Sequence, residues 1–247
     1  PTAGKIIFEG NDVTSVSGKE QKALRRRIQM IFQDPYESLN PLMTIGEVIA
    51  EPLKVHNLEP DKAKRAARVQ QALEDSGLRP AENFVNRYPH ELSGGQRQRV
   101  VIAGALVLEP TLLLADEPVS MLDVSIRAEI LNLLADLRAS RGISILFITH
   151  DLATAAHFTD RVAVMYLGRI VELGQTRQVL ANPTHPYTKA LLSVIPVPNP
   201  LSPGDNITQV PLVGGEFTKG GGDFWMANAR MTFTHDRYSL ALWMKNI

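Results

Sequence analysis

The sequence predicts an α/β protein with a mainly parallel sheet and an inserted α-helical subdomain. A hairpin-like stretch follows near the C-terminal end. Three observations predict this class. Leu112-Leu113-Leu114-Ala115 and Ile143 to Ile148 are apolar runs without alternation, as in strands covered on both faces of a parallel sheet. Between them, Ile126, Ile130, Leu133, Leu134 and Leu137 repeat at helical spacing and supply the crossover. Residues 41–91 carry helical and irregular patterns rather than strands.

The elements follow in order. Lys5-Ile6-Ile7-Phe8 reads as a short strand before a turn at Gly10-Asn11-Asp12. Lys19 to Arg27 is polar and helical, with Arg25-Arg26-Arg27 as a solvated face. Ile28 to Phe32 is a strand ending at Gln33-Asp34-Pro35. A helix starts at Thr44 or Gly46 and is limited by Pro52. Asp61 to Ser76 is amphipathic. Its Ala63, Ala66, Ala67, Val69, Ala72 and Leu73 are expected inward, and Lys62, Lys64, Arg65 and Arg68 toward water. Gly77 stands where a helix is commonly closed. Gln96 to Leu108 and Val124 to Ser140 are further helices, the second followed by Gly142. Arg161 to Tyr166 and Arg169 to Leu173 read as a strand pair across Leu167-Gly168, and Gln175 to Leu180 as a short helix.

Composition sets outer bounds. The chain has 247 residues and 44% hydrophobic content, enough for one core or a core with a small subdomain. Lys+Arg and Asp+Glu both number 26, so the net charge is zero and a general polyanion-binding surface is not expected. No nucleic-acid partner is therefore predicted. There is no cysteine, hence no disulfide and no thiolate metal site. No apolar run approaches the ~20 residues of a membrane helix, and no signal peptide is visible. The chain starts at Pro1 rather than Met, which reads as a fragment.

Two short segments carry chemistry. In Leu92-Ser93-Gly94-Gly95-Gln96, Ser93 is a good N-cap residue and the two glycines let backbone N–H groups approach an anion. The helix dipole adds about half a positive charge there, which suits a phosphate. Asp116 and Glu117 stand at the carboxyl end of the Leu112 strand, where ligands of parallel sheets bind, and Pro118 stops the ladder. Their side chains diverge, so they can take different tasks. Asp116 is placed to orient a hydrated magnesium ion and Glu117 to orient and polarise an attacking water. Taken singly, the first segment is also a plain capped helix, and the second a solvated acidic turn.

The order and spacing of Leu92 to Gln96, Leu112 to Pro118, Ser120-Met121-Leu122-Asp123 and His150 resemble the ATP-binding-cassette (ABC) ATPases. They match that family's signature loop, Walker B strand, D-loop and switch histidine. The resemblance covers about residues 1–200. It implies an ATPase core over 1–40 and 92–180, a helical signature subdomain over 41–91, and ATP and Mg2+ as ligands. It implies that Glu117, His150 and Gln33 are catalytic, with Gln33 as the Q-loop residue touching magnesium and water. Asp116 and Gln33 would serve the metal. Ser93, Gly94, Gly95, Gln96 and Asp123 would serve the nucleotide, the Ser93 loop completing the site of a partner. The implied partner is a sister or identical ATPase subunit in a head-to-tail dimer. Two transmembrane permease subunits and, indirectly, an extracytoplasmic solute-binding protein complete the assembly. The implied location is the cytoplasmic face of the inner membrane, as a peripheral subunit.

Asn182-Pro183-Thr184-His185-Pro186-Tyr187 through Leu192, with Ile195-Pro196, is similar to the C-terminal segment (181–200) of oligopeptide and dipeptide importer ATPases. Phe32 to Pro41 points the same way, and nickel importers share the pattern. The expected function is ATP hydrolysis that energises peptide import. The alternatives are an inactive fragment that donates only the signature loop and a soluble cassette ATPase outside transport.

Some features depart from the family. No G-x-x-x-x-G-K-[ST] occurs in the chain, so Walker A is missing and the chain alone is expected to be inactive. Gly104 and Met121 replace the usual Arg and Ala, which is expected to weaken the helix and the D-loop contact. Residues 201–247 fit no ATPase. Ala229 to Thr234 and Tyr238 to Leu242 alternate as a hairpin and resemble the last strands of a TonB-dependent receptor, which suggests a chimera with weak order.

Overall fold

The computed structural model describes residues 3–193 and 240–243. β1 (Ile7–Phe8) and β2 (Asn11–Asp12) form an antiparallel ribbon. Glu9 and Gly10 both have positive φ, so they make the turn. Asn11-Asp12, expected as turn, is the second strand, because glycine takes that backbone region without a Cβ penalty. α1 (Gly18–Arg27) leads directly into β3 (Ile28–Ile31).

The helical region follows. α2 (Pro35–Ser38) is a single turn after the Gln33 loop, capped by Asp34, whose Oδ1 accepts from the Tyr36 N–H at 2.7 Å. α3 (Ile45–Val55) begins with a capping box between Thr44 and Glu47. Pro52 lies inside α3 and does not end it. It falls in the last turn, where only the bond from its own missing N–H is lost. α4 (Lys62–Asp75) is capped by Asp61, and Gly77 at φ +81° closes the chain behind it. Val69, Ala72 and Leu73 are buried, but Ala63, Ala66 and Ala67 are exposed. Arg68, expected in water, is mostly covered, and its Nε donates to the Val107 carbonyl at 3.0 Å. α5 (Glu82–Val85) and a 3-10 turn (Pro89–Glu91) lead to α6 (Gly94–Leu106).

The remaining elements complete the sheet. They are β4 (Leu112–Asp116), α7 (Val124–Arg141), β5 (Ser144–Ile148), α8 (Leu152–Phe158), β6 (Arg161–Tyr166) and β7 (Arg169–Gln175). Then come α9 (Thr176–Ala181), α10 (Pro186–Ser193) and β8 (Leu240–Trp243). The sheet order is β3-β4-β5-β8-β6-β7, parallel throughout except for the β6–β7 hairpin. Leu167 and Gly168 turn that hairpin, both with positive φ.

β8 corrects an expectation. The 240–243 segment pairs in parallel with β5 on one side and β6 on the other. The sequence pattern predicts an antiparallel hairpin strand at 240–242, and both recorded pairings are parallel instead. The remaining expectations for the tail, residues 201–239 and 244–247, lie outside the described residues.

α6 is shared by two apolar cores. Its Ile102, Ala105 and Leu106 pack on β4, α7 and β5 through Leu113, Ile130 and Phe147. Its Val100 and Ala103, with Val107 just after its end, pack on α3 and α4 through Ile49, Leu53 and Leu73. The helix that begins at Ser93 therefore joins sheet and helical region. Burying each of the valine, leucine, isoleucine and phenylalanine side chains contributes about 1.5–3 kcal/mol.

Candidate functional site

Three adjacent parallel strands end level with one another. Ile31 pairs with Ala115, and Asp116 with Ile148. The residues just beyond those ends are Gln33, Glu117 and His150, and the structure brings their side chains together. Gln33 Nε2 donates to Glu117 Oε2 at 3.0 Å. His150 Nδ1 lies 3.0 Å from Glu117 Oε1. The Glu117 N–H donates to the Ile148 carbonyl at 2.9 Å, extending the ladder by one residue. Glu117 adopts φ +44°, a region unfavourable for a residue with a side chain. Such strain persists where surrounding bonds over-determine it, as they do here.

Asp116 sits at the same strand end, partly buried. Burial, and then the charge of Glu117, push its carboxyl above the ordinary range. Adjacent carboxylates with this bias favour a positive charge placed beside them.

The loops on either side are pinned by their own polar groups. Thr149 Oγ1 accepts from the Asp151 N–H at 3.0 Å, and Asp151 caps α8 through the Ala153 N–H at 2.9 Å. His150 is thus held between two capping residues. Asp151 before an apolar helical run was a readable cap signal that the sequence reading passed over. Arg127 Nε donates to the Leu122 carbonyl at 2.8 Å and Nη2 to the Ser120 carbonyl at 3.3 Å, fixing the loop before Asp123. No motif marks Arg127, and only the fold shows its task. Asp123 is exposed at the start of α7 and makes no capping bond with its side chain.

Ser93 opens α6 as expected. Its Oγ accepts from the Gln96 N–H at 3.3 Å, and Gln96 Oε1 accepts from the Ser93 N–H at 3.0 Å. Ser93 is exposed, while Gly94, Gly95 and Gln96 are partly covered. A Cβ on Gly95 would stand 2.7 Å from Ile126 Cγ2. The glycine there makes room for α7. Among the described contacts, no hydrogen bond joins Ser93 to Gln96 with Gln33, Glu117 or His150.

The strand-end cluster and the glycine-capped helix, on a parallel sheet with a helical insert, define the class of nucleotide-binding cassettes. The ABC transporter family profile matches residues 1–120, and the profile of the oligopeptide/dipeptide transporter C-terminal region matches residues 171–215. A dimeric ATP-binding cassette solved in a post-hydrolysis state with ADP and Pi superposes at TM-score 0.63, with 31% identity, over 72% of this chain and 75% of that one. CbiO1 from Clostridium perfringens, part of an ABC transporter complex, superposes at TM-score 0.65 with 33% identity, over 74% and 70%. The chain belongs to the ABC transporter ATPase family.

Curated relatives are closer in sequence. A putative peptide import ATP-binding protein of Brucella ovis is 54% identical over 200 residues, 81% of this chain and 62% of that protein. The oligopeptide transport ATP-binding protein OppF of Salmonella typhimurium is 53% identical over 199 residues, 81% and 59%. The chain thus spans about three-fifths of the length of these relatives. Among the described residues, no helix is long and apolar enough to cross a membrane.

Proposed function

We propose that the chain is an ATP-binding and ATP-hydrolysing subunit that energises import of oligopeptides or dipeptides. The observation that carries this is the Glu117 carboxylate held between Gln33 and His150 at the ends of three parallel strands. The match of residues 171–215 to the oligopeptide/dipeptide transporter C-terminal region supports an importer of this type, and the printed names of the relatives support peptide over nickel.

In this reading Glu117 orients and polarises the attacking water. Each of its oxygens makes one contact in the structure, which leaves acceptor capacity on both for a water. His150 would contact the terminal phosphate, and Gln33 would meet the metal and the water. Asp116 and Gln33 would hold Mg2+ through oxygen. The fit is reasonable, since Asp116 carries an uncompensated tendency toward neutrality that a cation relieves. Among the described residues no group of three or more His, Asp and Glu forms a dedicated metal cage. That suits magnesium, which keeps several waters and takes substrate phosphates as ligands. When bound, the ion supplies charge neutralisation at the phosphates.

The Ser93 to Gln96 turn would serve the nucleotide of a sister or identical subunit in a head-to-tail dimer, with Asp123 near the contact. The solved cassettes that this fold matches include dimers. Two permease subunits would dock on the helical region, with a solute-binding protein outside the membrane and this chain peripheral on its inner face. Because no G-x-x-x-x-G-K-[ST] occurs in the 247 residues, the chain alone is expected to hydrolyse ATP poorly.

The test is ATP hydrolysis by the chain assembled with a sister ATPase subunit and permease. Peptide-stimulated hydrolysis that falls with Glu117→Gln supports the reading. Hydrolysis sensitive to Ser93→Ala but indifferent to Glu117→Gln means that the chain contributes only its signature loop. Hydrolysis independent of permease and peptide points to a soluble cassette ATPase.

A further inference from the structure

Arg97 is a buried cation, 8% exposed, in the second turn of α6. Its Nε donates to the Pro89 carbonyl at 2.7 Å, and its Nη1 has no hydrogen-bond partner. No carboxylate forms an ion pair with it among the described residues. What faces the guanidinium is the ring of Tyr36, 3.9 Å from its carbon to the ring centre. Tyr36 itself is 63% exposed, so core packing does not explain its place. A buried cation without counter-charge is costly, and an aromatic face is one of the few uncharged groups that lowers the cost.

The two residues stand at the ends of short, stiff connections. Tyr36 lies three residues after Gln33, and its N–H is fixed by Asp34 Oδ1 at 2.7 Å. Gln33 holds Glu117 Oε2 at 3.0 Å. On the other side, the Arg97 N–H donates to the Ser93 carbonyl at 2.9 Å, within the turn that presents Ser93, Gly94 and Gly95. The stack therefore bridges the loop that positions Gln33 and the first turn of α6.

We propose that Tyr36 and Arg97 are a positioning pair that ties the placement of Gln33 beside Glu117 to the placement of the Ser93–Gly95 turn. The proposal rests on the nucleotide reading of those two places for its use in the reaction, but not for its geometry. When Gln33 leaves Glu117, α2 shifts and the Tyr36 ring slides off Arg97. The guanidinium loses its facing group, and the first turn of α6 moves with it. One chain would thereby link the state of its own strand-end site to the loop that it offers to a second site.

Amide hydrogen exchange on the full chain tests this, with Tyr36→Leu, Tyr36→Phe and Tyr36→Trp. Tyr36→Leu is expected to speed exchange in 33–38 and in 93–98 together, by roughly three- to thirty-fold, the worth of one such stack. β4 and α7 should exchange as in the parent. Tyr36→Phe and Tyr36→Trp should keep parental protection in both segments. Faster exchange confined to 33–38, or equal effects of Leu and Phe, overturns the proposal. In the assembled transporter, Tyr36→Leu should lower kcat with KM for ATP kept, and Tyr36→Phe should restore it. A parental assembly without hydrolysis counts against the functional reading, while coupled exchange in the isolated chain still decides the pairing.

Discussion

The strand-end half of the site and the Ser93 half are built on opposite plans. Glu117 is satisfied from two directions by side chains of other loops, Gln33 and His150, and is mostly covered. Ser93 and Gln96 satisfy each other within one helical turn, and Ser93 faces solvent. One half is thus preassembled inside the chain, with a contact on each carboxylate oxygen. The other is a finished surface, and among the described residues no recorded hydrogen bond engages the N–H groups of Gly94 and Gly95. In the proposed reading the preassembled acid cluster is where the reaction is arranged, and the outward helix start is what meets a second subunit. The difference follows from position: strand ends converge in a parallel sheet, whereas α6 starts at the joint between sheet and helical region.

The largest effect that can break this contrast is at Glu117. In an assembly that hydrolyses ATP at this chain's site, Glu117→Gln should cut kcat by about 10²- to 10⁴-fold while nucleotide binding persists. A rate within a factor of two of the parent would remove the catalytic meaning of the preassembled half. Next comes the close approach behind the Ser93 turn. Gly95→Val puts a branched side chain where even a Cβ meets Ile126 at 2.7 Å. The expected cost is about 1–3 kcal/mol in chemical denaturation, with looser packing of α6 on α7. Unchanged stability would mean that the glycine is there for the ligand alone. Third, Ser93→Ala removes the capping acceptor and should cost about 1 kcal/mol of stability. Its effect on hydrolysis should appear at the partner's site, which a mixed dimer with only one mutated subunit separates.

The same contrast explains what was legible in the sequence. The apolar runs of β4 and β5, the helical repeat of α7 and the N-cap at Ser93 are local signals, and each appears where expected. The convergence of Gln33, Glu117 and His150 was legible only through the order of motifs, since no local pattern makes strand ends meet. Other features depended on tertiary context. Alanine favours helix on any face, so spacing alone put Ala63, Ala66 and Ala67 inside, while Arg68 went in to reach the Val107 carbonyl. Pro52 reads as a stop, but it is tolerated in a terminal turn. Arg97 lies one residue past a motif and looks like any helical arginine until its burial is seen. The C-terminal segment of the importer pattern gained a physical anchor. Glu172 accepts from the Thr184 and His185 N–H groups at 2.8 and 3.1 Å, tying α10 to β7.

The smallest expected effect concerns pH, and there the two acids differ in sign. Around Glu172, burial works against the charge, yet the bonds from Thr184 and His185 leave its carboxyl below the ordinary value. The stability that it contributes is present above the ordinary carboxylate pKa and is lost as pH falls through the depressed one. Asp116 is raised, first by burial and then by Glu117. Its folded form holds the proton to higher pH than the unfolded chain does. Stability therefore falls as pH rises from the ordinary carboxylate value to the raised one, and the penalty is complete above it. Asp116→Asn should thus melt higher than the parent near neutral pH, and the advantage should vanish below the ordinary carboxylate range. Glu172→Gln should melt lower at neutral pH, with that deficit shrinking in acid. Magnesium should raise the parental melting temperature more than that of Asp116→Asn, because the variant no longer carries the charge that the ion relieves. A variant that melts lower than the parent at neutral pH would show that the charge of Asp116 is already balanced within the chain, and the strand end would then offer no incentive for a cation to bind.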